Sequence, residues 1–180
     1  MKKNTVFIAK SMDGFIADRN GGMDWLQITP NPRGNDMGYQ FFLDEMDAIV
    51  MGRKSYETIL GFDIDWPYNI PVFVLSSTLT EVPSELQGKV HFANGQLKEI
   101  LAGIHEHGFH NLYIDGGITI QNFLKEDLIN ELIITTIPIL LGGGIPLFGD
   151  LSVPIRFQCT GTKIFLDAVV QNHFVKLKVE

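Results

Sequence analysis

Two stretches of this chain place glycine where a short apolar run gives way to a helical pattern. The first is Ala48-Ile49-Val50-Met51-Gly52-Arg53-Lys54-Ser55-Tyr56-Glu57, and the second is Asn111-Leu112-Tyr113-Ile114-Asp115-Gly116-Gly117-Ile118-Thr119-Ile120. Glycine lets backbone approach a ligand closely, and a helix start presents unpaired N–H groups with partial positive charge, so each turn is a candidate phosphate site. Glycine also occurs at such turns merely to make them, and either motif alone is balanced between the two readings. Together they point to a dinucleotide. Beside Gly52, Arg53, Lys54 and Ser55 add the donors that an extra phosphate monoester requires.

The other reactive side chains point to less. Cys159 is the single cysteine, so an internal disulfide is excluded, and it has no His or Asp near it in sequence to activate it; it reads as a packing residue. His105 and His107 are two apart on a predicted helix and face different sides, against a metal site. Gly142-Gly143-Gly144 is followed by no helical pattern and reads as a turn into Pro146-Leu147-Phe148. A formal charge of -7 argues against nucleic acid as the main partner, though a small anion held by a few local basic residues is compatible with it. No apolar run approaches the ~20 residues that span a bilayer, and Met1-Lys2-Lys3 leads into no signal-like cleavage site, so a cytoplasmic protein without a membrane partner is expected.

The elements that must position the glycines alternate. Strands are expected at Thr5–Ala9, Ala48–Met51, Val72–Leu75, Val90–Ala93, Leu112–Ile114 and Leu132–Leu140, several apolar throughout as in buried central strands. Helices are expected over Asp36–Met46, Arg53–Leu60, Gly95–His107 and Gly117–Lys125, with apolar residues three and four apart. From Arg156 the chain alternates like strand, and Leu166-Asp167-Ala168 turns Lys163–Phe165 back on Val169–Val179 as a hairpin. This order predicts one α/β domain over residues 1–180, with a mostly parallel sheet, right-handed crossovers and an antiparallel C-terminal edge. The loop Gly21–Gly34 is long enough for a lid or pocket wall, and Trp25 within it is expected to pack on something; it is the candidate substrate contact.

In order and spacing, Val6-Phe7-Ile8-Ala9-Lys10-Ser11-Met12-Asp13-Gly14-Phe15-Ile16-Ala17, the Gly52 turn, Val74-Leu75-Ser76-Ser77, Asp115-Gly116-Gly117 and Ile137–Phe148 resemble the dihydrofolate reductase superfamily. The likeness is greater to the branch containing the reductase domain of riboflavin biosynthesis. It implies a three-layer α/β/α fold and a reductase that uses NADPH. In that family, residues matching Gly52, Arg53, Lys54 and Ser55, with Leu75, Ser76 and Ser77, hold the pyrophosphate and the 2′-phosphate. Those matching Gly116, Gly117, Ile118, Thr119 and Ile120 line the other phosphate side, and the backbone at Ala9 and Ile16 holds the carboxamide. An arginine fork and hydroxyls suit a monoester dianion, whereas NAD would favour an acid at the ribose.

Hydride transfer to a C=N bond needs a proton donor near the pocket. The resemblance offers two acids: Asp36, reached by counting back from Gly52 to the helix opening, and Asp115, at the end of a central strand. Each has a capping role as its alternative. The compact Pro-Trp run that precedes the acid of dihydrofolate reductases is missing, and the basic residue that the riboflavin branch often carries four positions before the serine matching Ser11 is here Phe7. The expected substrate is a small pterin-like or pyrimidine-like heterocycle, with dihydrofolate reductase and a non-catalytic dinucleotide-binding or regulatory protein as alternatives. Relatives of the riboflavin branch are commonly dimers, so a homodimer is the expected assembly; the apolar C-terminal strands either supply its surface or close the core.

Overall fold

The computed structural model describes residues 2–177. Its strands are β1 (Lys3–Ser11), β2 (Phe15–Ala17), β3 (Ala48–Gly52), β4 (Val72–Leu75), β5 (Val90–Ala93), β6 (Asn111–Asp115), β7 (Glu131–Ile137), β8 (Ile145–Pro146), β9 (Phe157–Phe165) and β10 (Val169–Lys176). Its α-helices are α1 (Tyr39–Asp44), α2 (Arg53–Leu60), α3 (Leu97–Glu106) and α4 (Gly117–Lys125). One eight-stranded sheet runs in the order β5-β4-β3-β6-β1-β7-β10-β9, while β2 and β8 pair separately. The first six strands of that order are mutually parallel; β10 lies antiparallel to both β7 and β9.

Ala48, Ile49, Val50 and Met51 are all fully buried, which a strand achieves only when both faces of its sheet are covered. Alternation divides these side chains between two clusters. Val50, Leu112 and Ile114 pack with Leu101 and Ile104 of α3 and with Ile120 and Phe123 of α4. Ile49, Met51, Val72 and Tyr113 pack with Phe42 of α1 and Tyr56 of α2. The result is the three-layer α/β/α arrangement of the dihydrofolate reductase fold, with its C-terminal antiparallel hairpin.

Several boundaries differ from the sequence pattern for local reasons. The helix expected over Asp36–Met46 begins only at Tyr39, because Met37 and Gly38 take φ of 57° and 85°, which a right-handed helix cannot contain. The strand expected to reach Leu140 stops at Ile137, where Pro138 removes a donor. Leu166 and Asp167, both at φ 54°, make the hairpin turn and set Val169 opposite Phe165; the expected strand end at Val179 lies outside the described residues. Cys159 is not a packing residue. It is exposed on β9, the edge strand, where no layer covers it.

Candidate functional site

Strands β3 and β6 are adjacent and parallel, with Met51 opposite Asp115, yet the chain leaves them in opposite directions. From β3 it passes through α2 to β4 on one side; from β6 it passes through α4 to β7 on the other, and the two helices cover opposite faces. Ligands of open α/β sheets bind in the crevice at such a divergence. Gly52 and Gly116 are the N-caps of α2 and α4, and neither helix start has a side-chain cap. Both first turns therefore keep N–H groups available to an anion.

The two turns touch. A Cβ on Gly52 would lie 2.8 Å from Thr119 Oγ1, and one on Gly116 would collide with Ser55 Oγ. Gly116 also holds φ 91° and ψ 135°, a conformation open only to glycine. A Cβ on Gly117 would stand 2.6 Å from Ile16 Cδ1, so the first loop closes on the same place. Gly52, Ser55, Gly116, Gly117, Thr119 and Ile16 thus share one crevice. Ile120 is instead a fully buried core residue and Ile118 is 61% exposed.

Arg53 extends from this crevice toward the end of β4, its Nη1 3.4 Å from Thr78 Oγ1 and its Nε 3.7 Å from Glu57. Ser76 Oγ accepts from the N–H groups of Thr78 and Leu79 at 3.2 and 3.0 Å. Lys54 and Ser77 are exposed nearby in sequence. Leu75, Ser76 and Ser77 line one wall of a cavity of about 580 Å³, completed by Asn94, Gly95, Gln96, Asn122 and Lys125.

The loop between β1 and β2 is tied down by Asp13. Ser11 Oγ donates to Asp13 Oδ1 at 2.6 Å, and the N–H groups of Leu141 and Gly142 donate to its carboxylate at 3.1 and 2.7 Å. These donors, led by the Ser11 hydroxyl, hold the Asp13 carboxyl below its usual range. Arg19 Nη2 donates to Gly142 O at 2.8 Å, and Gly144 packs on the Ala17 carbonyl so closely that no side chain fits. The triple glycine is a turn wrapped around β2. Ala9 lies on β1 among the partly buried neighbours of Trp25, and Trp25 itself packs against Ile137 and Val169 with its indole Nε1 buried and unpartnered.

The two acids occupy opposite environments. Asp36 is exposed and its carboxylate accepts from the N–H groups of Gln40 and Gly38 at 2.8 and 2.9 Å, which lowers its pKa. It caps α1. Asp115, at the end of β6, is raised above the ordinary carboxylate range because burial penalises its charge, partly offset by hydrogen bonds from the Tyr113 hydroxyl and the Gly116 N–H. Tyr113 Oη stands 3.1 Å from Asp115 Oδ1 and 3.1 Å from the Phe7 carbonyl. The Tyr39 and Tyr68 phenols feel the same carboxyl; burial first, then that charge, pushes Tyr39 up to about 12. Among the described residues no three His, Cys, Asp or Glu gather to hold a metal, and no helix is long and apolar enough to cross a membrane.

The family model of the RibD C-terminal domain matches residues 2–170. The chain belongs to the RibD C-terminal domain family. It is 36% identical over 177 residues to the uncharacterized protein YwjB of Bacillus subtilis (strain 168), covering 97% of this chain and 98% of that one. A solved structure from Shewanella sp. PV-4, described provisionally as a riboflavin biosynthesis protein, shares 49% identity with a TM-score of 0.95, over 99% of this chain and 100% of that one. Two more distant structures share the fold. One is the Thermotoga maritima diaminohydroxyphosphoribosylaminopyrimidine deaminase/5-amino-6-(5-phosphoribosylamino)uracil reductase, at TM-score 0.73 and 18% identity over 98% of this chain and 57% of that one. The other is the Enterococcus faecalis dihydrofolate reductase complexed with NADP(H), at TM-score 0.66 and 16% identity over 98% and 97%.

Within this RibD C-terminal domain fold, sequence reading passed over Thr78, the Asn94-Gly95 turn and the phenols of Tyr39 and Tyr68. Asn94-Gly95 was open to discovery: Phe92-Ala93-Asn94-Gly95-Gln96-Leu97 is a third strand-glycine-helix passage, with Gly95 at φ 137°. The tyrosines carried no such mark, since Tyr68 joins the Tyr113 cluster from the loop before β4 only through tertiary packing.

Proposed function

We propose that this chain is a reductase that binds NADPH along the β3–β6 crevice and reduces a small pterin-like or pyrimidine-like heterocycle. The observation that carries the reading is the meeting of two uncapped helix starts at Gly52 and Gly116, a pair of anion sites at the spacing of adjacent strands. The NADP(H) complex of the Enterococcus enzyme, which has this fold, supports the choice of cofactor. When bound, NADPH supplies the hydride.

The chain's residues do the rest. The N–H groups opening α2 and α4 hold the pyrophosphate, with Lys54, Ser55, Ile118 and Thr119 on those helices, while Ile120 anchors α4 in the core. Arg53, with the Ser76, Ser77 and Thr78 hydroxyls, grips the 2′-phosphate as a fork and donors suited to a dianion. Ala9 and Ile16 offer backbone to the carboxamide, with Asp13 keeping that loop against the Gly117 turn. Asp115, whose environment favours its protonated form, holds the proton destined for the substrate nitrogen. Asp36 serves α1, and Trp25 supports the pocket wall from behind. The enzyme works in the cytoplasm, and β9, a nine-residue edge strand open on both faces, is the surface for pairing two copies.

Loss of NADPH absorbance in the presence of dihydrofolate, pterins and pyrimidines tests this directly. Turnover with a ring other than dihydrofolate is expected. Tight NADPH binding with no oxidation against any member would move the chain to a non-catalytic role.

A further inference from the structure

The surroundings of Asp115 constrain what the substrate of the proposed reductase carries besides its ring. Phe7 stacks on Phe42 with centroids 5.0 Å apart and leans on Tyr39 at 5.4 Å, while Trp66 meets Tyr68 edge-on at 5.4 Å. Tyr113, bonded to the carboxyl, meets Tyr39 edge-on at 6.2 Å and Phe42 at 5.2 Å, so phenols and aromatic carbon pack beside this one acid. Among the described residues, three basic side chains, Lys10, Arg19 and Arg53, are directed elsewhere. Alternation along β1 puts Phe7 on this face and Lys10 on the other. Arg53 reaches Glu57 and Thr78, Arg19 reaches Gly142 O, and Arg33 stands on an exposed turn closed by Asn31 and Asn35.

A phosphate or carboxylate brought beside this half-buried carboxyl, away from those three cations, would lose hydration and meet like charge. Phenol hydroxyls and a carboxyl instead complement the N–H and C=O edge of an aminoheterocycle, and the rings complement its faces. We propose that the substrate is a planar aminoheterocycle bearing neither phosphate nor carboxylate, its N–H edge set on Asp115 and its polar substituents on Tyr39 and Tyr68.

Two matched pairs test this on the full chain without cofactor: 6-hydroxymethylpterin against its monophosphate ester, and 5-aminouridine against its 5′-phosphate. Calorimetric titration is expected to show the unphosphorylated member binding at least about tenfold tighter in both pairs, or roughly 1.4 kcal/mol. Asp115→Asn and Tyr68→Phe are each expected to weaken that member several-fold. The proposal is overturned if the phosphorylated member binds as well or better in either pair, including through Arg33 with loss in Arg33→Ala, or if no probe binds. Preferential binding of the uncharged member without any NADPH oxidation would sink the reductase reading and leave this one standing. Oxidation fastest with the phosphorylated ring would do the reverse.

Discussion

The turn after β3 and the turn after β6 use the same backbone plan with different side chains around it. Gly52 has an ordinary φ of -81° and is kept small by its neighbour Thr119, and its helix opens with exposed Arg53 and Lys54. Gly116 is constrained twice, by φ 91° and by Ser55, and it follows a half-buried acid. One turn faces water with positive charge; the other follows a half-buried acid hydrogen-bonded to a phenol. A shared device is thereby specialised by what its helix and strand bring beside it. On the proposed reading, affinity and cofactor choice belong to the first turn and chemistry to the second.

The strongest way to break this division is Asp115→Asn. Loss of a general acid typically costs about 10²–10⁴ in rate, so kcat should collapse while NADPH affinity stays near wild type. Stability should move the other way. Between the ordinary 3.8 and its raised value, Asp115 binds its proton more tightly folded than unfolded, so it lowers stability as pH climbs through that window. Calorimetric melting should show Asp115→Asn above wild type at neutral pH, with the gap closing toward the ordinary carboxylate range. Unchanged kcat would remove Asp115 from the chemistry.

Gly116→Ala should come next, with NADPH binding weakened about a hundredfold by strain of roughly 1–3 kcal/mol and the collision with Ser55. Fluorescence titration of Gly116→Ala with Ser55→Gly should recover only part of this, since φ remains wrong. Arg53→Ala should cost about tenfold to a hundredfold for NADPH, roughly 1.5–3 kcal/mol, and leave NADH nearly unaltered. A 2′-phosphate preference that survived the change would return the two turns to equal status. The smallest effect is expected of Asp36→Ala, about 1 kcal/mol from a lost cap, seen in denaturant melts with kcat for the best heterocycle unchanged.

The elements that set up this contrast were readable because each is a local pattern. Arg53–Leu60 and Gly117–Lys125 start at glycine after an apolar strand, and the helices fall on those residues. The opening of α1 was unreadable, because Met37, at φ 57°, packs on the Trp25, Ile137 and Val169 cluster and accepts at its carbonyl, at 3.1 Å, from Gln171 far along the chain. Exposure of Cys159 depends likewise on the position of β9 at the sheet edge, which its neighbours in sequence do not determine. The gathering of Tyr39 and Tyr68 in the cluster of Tyr113, which bonds Asp115, joins segments that share no sequence signal, so these phenols emerged only from the fold.

The Asp13 anchorage makes the end of β1, the β2–β8 ribbon and the triple-glycine turn one cooperative opening unit. Four amides belong to it: Gly14 on Ser11 O, Phe15 on Ser11 Oγ, and Leu141 and Gly142 on the Asp13 carboxylate. In native-state hydrogen exchange they should share a single opening free energy rather than fray one by one. Since the Asp13 carboxylate is favoured by folding, that free energy should hold above the ordinary range and fall as acid protonates it. This block would then loosen in acid as one while the β3–α2 turn kept its protection.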